Sequence, residues 1–237
     1  MINQKGSIVI LTGAGISKES GLDTFRDKDG IWSSVRIEDV ATPGAFRRDP
    51  VTVHAFYNAR RRQLTSGEVQ PNAAHLALAR LERLWDAPVT IITQNIDDLH
   101  ERAGSTSLIH MHGELLKARC IRCREPFAWT GDLSVEQPCP DCHMAGTLRP
   151  HVVWFDELPL EMGRIYSLLE DCALFVSIGT SGNVHPAAGF AQAVRSAGHA
   201  RTVELNLEPS QAATVFHEAR TGKASELVPA FVAELLG

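Results

Sequence analysis

The chain lacks most of what would take it to nucleic acid, a membrane or an oxidising compartment. Its 23 Lys and Arg are outnumbered by 28 Asp and Glu, for a net charge of −5, which argues against a nucleic-acid binder held by phosphate contacts. No apolar run approaches the roughly 20 residues of a membrane span. The opening stretch MINQKGSIVILTGAGIS has neither the usual charged n-region nor a small-residue cleavage site, so its apolar run is expected to be a strand, not a signal peptide. Cysteine is scarce, and four of the five fall into two close pairs. With no export signal, that pattern argues for metal rather than disulfides, and for the cytoplasm. Internal repeats and low-complexity tracts are also missing.

What is present is a rhythm of short apolar runs separated by helical patterns. The runs are SIVILT (7–12), PVTIIT (88–93), SLIH (107–110), ALFVSIGT (173–180) and RTVELN (201–206). Strands buried on both faces read as continuous apolar runs, so the expected fold is α/β, a Rossmann-type doubly wound parallel sheet covered by helices. LALARLERLW (76–85) and SELVPAFVAELL (225–236) carry apolar residues at helical spacing and should pack on that sheet. Two stretches break the alternation, and both are expected to form a smaller lobe. They are a helical insertion over 31–70 and a Cys- and Pro-rich zinc ribbon over 113–150, which leave 1–30, 71–112 and 151–237 to the dinucleotide-binding domain.

Cys120 and Cys123, then Cys139 and Cys142, give two C-x2-C knuckles fifteen residues apart. Each knuckle brings two thiolates to one ion, and two knuckles complete a tetrahedron. Four sulfur ligands leave no open position, so the expected zinc is structural. His143 follows the second knuckle but is not expected to displace a thiolate. Cys172, alone before an apolar run, is expected in the core.

SIVILTGAGISKESG reads as strand, glycine-rich turn and helix start. Gly13 and Gly15 would let backbone amides approach a pyrophosphate at a helix N-terminus. Lys18 stands where the third glycine of G-x-G-x-x-G is usual, and there is no G-K-[ST], so the motif by itself fits a tight turn equally well. Three further polar clusters, TQNID (93–97), GTS (179–181) and NLE (206–208), follow apolar runs. Each alone could be a turn or a helix cap; together they fall where a doubly wound sheet binds ligands.

With GAGISKESGLDTFR (13–26), TQNIDDLHERAG (93–104), HMHGEL (110–115), the cysteine pairs, HVVWFDE (151–157), IGTS (178–181) and ELNLEPS (204–210), the sequence resembles the sirtuin family of NAD-dependent protein deacylases, most closely bacterial class III members of the CobB type. The resemblance implies a cleft between the two lobes in which NAD and an acyl-lysine protein substrate meet. By it Gly13, Ala14, Gly15, Ile16, Ser17, Thr24, Phe25, Arg26 and Trp32 belong to the cofactor loop. Gln94, Asn95, Ile96 and Asp97 line the ribose and nicotinamide region, with Asn95 and Asp97 counted among the catalytic residues. Gly179, Thr180, Ser181, Asn206, Leu207, Glu208 and Ala224 hold the adenosine half.

The resemblance also assigns the chemistry. His112 is the implied general base: once the acyl oxygen has displaced nicotinamide, it takes a proton from a ribose hydroxyl, and lysine and 2′-O-acyl-ADP-ribose follow. NAD is therefore a co-substrate and no hydride moves. His110 is expected to be a satisfied core histidine turned away from the site. Val152 and Val153 are implied to pair with the substrate peptide, and Phe155 to border the acyl-lysine channel. Tyr57 and Arg60, one helical turn apart in HAFYNARRRQL (54–64), fall on the pair said to recognise acidic acyl groups, so desuccinylation is expected beside deacetylation. Arg61 and Arg62 are expected to form a solvated face. A monomer is expected. The alternatives are a mono-ADP-ribosyltransferase sharing the first step and a non-catalytic NAD-sensing module.

Overall fold

The computed structural model describes residues 6–22 and 36–237. Strand β1 (Ile8–Thr12) runs into the one-turn helix α1 (Ala14–Ser17), and from residue 36 three helices follow, α2 (Ile37–Val40), α3 (Pro43–Arg48) and α4 (Pro50–Leu64). Then come α5 (Ala73–Leu84), β2 (Val89–Thr93), α6 (Leu99–Ala103), β3 (Leu108–His110), β4 (Gly113–Cys120), β5 (Pro126–Ala128) and β6 (Leu148–Val152). The chain closes with α7 (Met162–Asp171), β7 (Leu174–Ile178), α8 (Phe190–Ala197), β8 (Arg201–Asn206), β9 (Glu218–Thr221) and α9 (Ala224–Leu236).

Six strands form one parallel sheet in the order β3-β2-β1-β7-β8-β9. Its faces follow from period-two alternation. Ile8, Ile10, Ile91, Leu174, Val176 and Val203 turn to α5 and α9, meeting Leu78, Leu81, Phe231 and Val232. Val9, Leu11, Ile92 and Phe175 turn to α7 and α8, meeting Ile165, Leu169, Phe190 and Val194. Cys172 is buried in this second cluster, as its sequence setting implied. Each such side chain contributes about 1.5–3 kcal/mol when fully removed from water. Because both faces are covered, the central strands β1, β2 and β7 are nearly pure apolar runs, which is why the sequence announces them. The doubly wound parallel sheet expected from those runs is the observed one.

A second sheet, antiparallel in the order β5-β4-β6, carries the zinc ribbon. Against it packs the cluster of α2, α3 and α4, centred on Phe46, Val53, Phe56, Tyr57, Leu115, Val152 and Trp154. Helix α4 starts four residues before the stretch whose basic pattern marks it. Asp49 caps it by accepting from Thr52 N (3.0 Å), with Pro50 in the first turn, as Thr42 and Pro43 do for α3.

Candidate active site at the sheet switch point

Strand order reverses between β1 and β7, the place where doubly wound sheets open a crevice for ligands. The four polar clusters of the sequence follow β2, β1, β7 and β8, which are consecutive in the sheet, so one crevice collects all of them. Gly13 N donates to Ile178 O (3.0 Å) and Gly15 N to Gly179 O (2.9 Å). A Cβ on Gly179, whose φ is +62°, would stand 2.5 Å from Ile16 N, and one on Gly15 would stand 2.7 Å from the Gly179 Cα. Only glycine allows these two turns to touch, and their contact leaves bare backbone where a pyrophosphate needs it. The exposed Lys18 lies beyond this contact, so the place of the usual third glycine does not require one here.

The turn after β2 is knitted to this cradle from beneath. Asn95 Nδ2 donates to Gly13 O (3.1 Å) and Ser17 Oγ (3.0 Å), and Ser17 Oγ donates to Asp97 Oδ2 (3.1 Å). All three side chains are buried. Burial raises the Asp97 carboxyl to about 6, although it accepts from Leu99 N and Ser17. Ile96 is half-buried and packs with the helical cluster. On the far side Thr180 is buried against Ser177 (2.9 Å), Ser181 is half-buried, and Asn206 Nδ2 donates to Thr180 O (2.6 Å). Leu207 and Glu208 are exposed beyond β8, and Ala224 opens α9. Thr24, Phe25, Arg26 and Trp32 lie outside the described residues.

His112 sits at the junction of β3 and β4. Its Nδ1 contacts Gln94 O at 3.0 Å, and since a carbonyl only accepts, Nδ1 carries the hydrogen. The neutral ring therefore keeps its lone pair on Nε2, the atom a general base needs. Burial lowers the pKa of His112, with the Gln94 bond in partial opposition, so the ring is neutral at pH 7. The next residue is Gly113, at φ +78°, where a Cβ would strike His151 O at 2.2 Å. His110 is not turned away as its pattern suggested. The chain leaves β3 at Met111, and His110 Nδ1 reaches the very next carbonyl of the same turn, Asn95 O, at 3.4 Å.

A second group of expected site residues, packed in the core of the helical lobe, is made of side chains. Tyr57 is buried and its hydroxyl accepts from Trp154 Nε1 at 3.0 Å; burial pushes the phenol above its ordinary pKa. Arg149 stacks on Trp154, 3.3 Å from the ring centroid, while donating to Glu157 (2.6 Å) and Val152 O (2.8 Å). Arg60 is half-buried with its guanidinium 5.8 Å from the Phe56 centroid. Val153 N donates to His112 O (2.8 Å), so only its carbonyl side can meet a peptide. Val152 is buried in β6 and Phe155 is exposed.

Arg61 departs from expectation. It is fully buried, not part of a solvated face, and donates to Leu115 O (3.1 Å), Asn58 Oδ1 (2.9 Å) and Gly131 O (3.2 Å). Burial lowers its pKa to about 10. Helix phase explains the contrast: Arg61 is one turn past Tyr57 on the inward face, whereas Arg62 points outward to Asp132.

The ligand atoms of Cys120, Cys123, Cys139 and Cys142 all lie within 4.8 Å of one another. Sulfurs of Cys120 and Cys142 are 3.8 Å apart, and those of Cys123 and Cys139 are 4.0 Å apart. Four sulfurs at ~2.3 Å from a tetrahedral zinc would be separated by about 3.8 Å, so the residues fit the metal. Both knuckles close alike. Arg124 N donates to Cys120 O and His143 N to Cys139 O, and Arg124 (φ +69°) and His143 (φ +59°) are left-handed. His143 thus acts through its backbone and is outside the ligand group.

These features have close counterparts among known proteins. A sequence profile of the Sir2 family matches residues 13–186. The NAD-dependent protein deacylase of Escherichia coli K12 is 56% identical over 233 residues, covering 98% of this chain and 83% of the relative. A Sir2 homolog–NAD complex superposes with a TM-score of 0.88 at 38% identity, covering 98% of this chain and 90% of that one. A mutant Sir2 homologue with 2′-O-acetyl ADP ribose gives 0.88 at 36% identity, covering 98% and 93%. Profile, sequence and fold agree over nearly the whole length: this chain belongs to the Sir2 family.

Proposed function

We propose that the protein removes acyl groups from protein lysines with NAD as co-substrate, and that the acyl groups include succinyl as well as acetyl. The observation that carries the reading is His112: a neutral ring with its hydrogen fixed on Nδ1 and its lone pair on Nε2, where the glycine-lined crevice meets the aromatic wall. NAD, when bound, supplies an electrophilic ribose carbon and a leaving group.

The chain's own residues do the rest. Gly13, Ala14, Gly15 and Ile16 offer backbone to the phosphates, and Ser17, Asn95 and Asp97 hold the nicotinamide end in a buried, water-poor network. Gln94 lies beside the ribose, with Gly179 to Ser181, Asn206 to Glu208 and Ala224 on the adenosine side. His112 Nε2 takes the proton of the ribose hydroxyl that attacks the acyl carbon. The Val153 carbonyl and the exposed Phe155 receive the peptide.

For an acidic acyl group the wall supplies two partners. A phenol hydrogen lies in the ring plane and has two positions; the indole N–H of Trp154 fills one side of the oxygen, which leaves Tyr57 to donate on the other. Arg60, one turn along the helix, supplies a planar fork for a carboxylate. Among the described residues no helix is long and apolar enough to cross a membrane, and four cysteines kept as metal ligands agree with the cytoplasm. The zinc-bearing lobe and the sheet act as the substrate and cofactor halves. Release of nicotinamide in the presence and absence of an acyl-lysine peptide tests the reading. Release should depend on the peptide and match it with free lysine; equal release without peptide would replace deacylation by NAD hydrolysis or ADP-ribosyl transfer.

A further inference from the structure

His110 is set in surroundings unlike those of His112, and no step above uses it. Its ring is nearly buried, with 10% of the side chain exposed. Nε2 lies 2.6 Å from Glu101 Oε1 on α6, and Nδ1 lies 3.4 Å from Asn95 O. Both partners are acceptors, a carboxylate and a carbonyl. A neutral imidazole has one N–H and can satisfy one of them; a doubly protonated ring satisfies both. The other charged groups facing it are Glu114 on β4, which brings its own cation in Lys117 (2.5 Å), His100 on α6, and Asp97 in the turn. The three donors Glu101, His110 and Glu114 lie close enough to hold a metal ion, but Lys117 and the ring hydrogens already bring positive charge to them.

We propose that His110 is a positioning residue: as an imidazolium it clips the Asn95 carbonyl to Glu101 and so fixes the turn from Thr93 to Asp97 that forms the nicotinamide end of the site. The turn has its outer anchors in Met111 N donating to Thr93 O and Leu115 N donating to Ile96 O. Between them the Asn95 N–H donates to Thr93 Oγ1 (3.0 Å) and the Asn95 carbonyl is met by this ring, while the Asn95 side chain reaches Gly13 and Ser17. Burial alone would disfavour the charge on His110, but the hydrogen bond and charge of Glu101, with the charge of Glu114, outweigh it and raise the pKa.

The sign follows directly. A raised pKa means the clip is whole at low and neutral pH and is lost as pH climbs through the folded value. His112 works in the opposite sense, gaining its free lone pair as pH rises through a lowered value. Turnover should therefore have an acid limb from His112 and an alkaline limb from His110, the latter above ~6.5.

The inference rests on the deacylase reading for its kinetic arm only, since the ring can be titrated by NMR in protein that turns nothing over. In the zinc-loaded full chain His110 should titrate above ~6.5. Glu101→Gln should move that titration, and the alkaline limb of kcat/KM on an acetyl-lysine peptide, down by about one pH unit or more. His110→Gln should abolish the alkaline limb, keep the acid limb, and raise KM for NAD about fivefold at neutral pH with kcat less affected. A His110 titration at or below the ordinary value, or an alkaline limb that stays put in Glu101→Gln, overturns the clip. Should His110→Gln not fold, the titration and the Glu101 variant still decide. Peptide-independent NAD cleavage would instead sink the deacylase reading and leave the titration result standing.

Discussion

The two walls of the proposed active-site cleft are built from different materials. The cofactor wall is backbone: Gly13 and Gly15 touch Gly179 so closely that a single methyl group has no room. The acyl wall is side chain: Tyr57, Trp154 and Arg149 lean on one another through rings, a guanidinium and one indole hydrogen bond, with Arg60 beside Phe56. A wall made of backbone has one solution, and serves a ligand that does not vary. A wall made of side chains can be altered one group at a time, and serves a ligand whose chemistry does vary. Changes to the first should cost binding and stability together; changes to the second should redistribute activity among acyl groups.

The largest effect expected is on the backbone wall. Gly179→Ala forces a Cβ onto Ile16 N and a strained left-handed alanine. NAD affinity should fall by roughly a hundredfold, the worth of one or two displaced backbone hydrogen bonds to a charged phosphate, and Tm should drop by several degrees. Calorimetric titration and thermal melting measure both, and an unchanged Tm would show that the turns part freely. His112→Ala, at the seam of the two walls, should lower acyl transfer about a hundredfold or more while NAD binding stays within a few-fold; a near-normal rate would place the base elsewhere.

On the acyl wall, Tyr57→Phe with Arg60→Met should cost succinyl-lysine about 2–3 kcal/mol, or roughly 30- to 150-fold in kcat/KM. Acetyl-lysine, with no carboxylate to lose, should change little. Equal losses on both substrates would mean the pair only holds α4 in place. The smallest effect belongs to Trp154→Phe, which keeps an aromatic ring, though a smaller one, and removes the N–H that orients Tyr57. Succinyl turnover should fall about tenfold or less, acetyl turnover hardly at all; matched declines would assign Trp154 to packing.

This contrast also decides what could be read in the sequence. β1, β2 and β7 are mostly apolar because both faces are covered, β8 keeps only Val203 and Leu205 as its apolar signal, and the order of the four in the sheet brings the polar clusters together. Strand β9 has no such signature: Glu218–Thr221 lies on the edge with alternate residues exposed, and its EART reads as anything. Arg61 hid among like neighbours, though its spacing from Val53, Tyr57 and Leu64 marks the inward face. The role of His110 could not be read because it depends on Glu101, nine residues earlier on another element, and on a backbone carbonyl. The zinc knuckles were legible as spacing, but the left-handed turn at Arg124 was not, since arginine does not advertise such a conformation; His143, of a type enriched there, gave only a weak hint.

The buried Arg61 bears on how the protein is made as well as on how it is held. Its acceptors sit 54 residues ahead at Leu115 and 70 ahead at Gly131, so α4 cannot bury its charge until that much more chain exists. Ordering so distant a contact is slow relative to local helix formation. During synthesis the small lobe therefore waits for Gly131, yet its last strand, β6, ends at Val152, before β7 is made. The central pair β1 and β7 spans residues 8 to 178 and closes only afterwards. The zinc-bearing lobe is complete in sequence while the parallel sheet is still half made, so the emerging chain exposes the edge of β1 until β7 arrives to cover it.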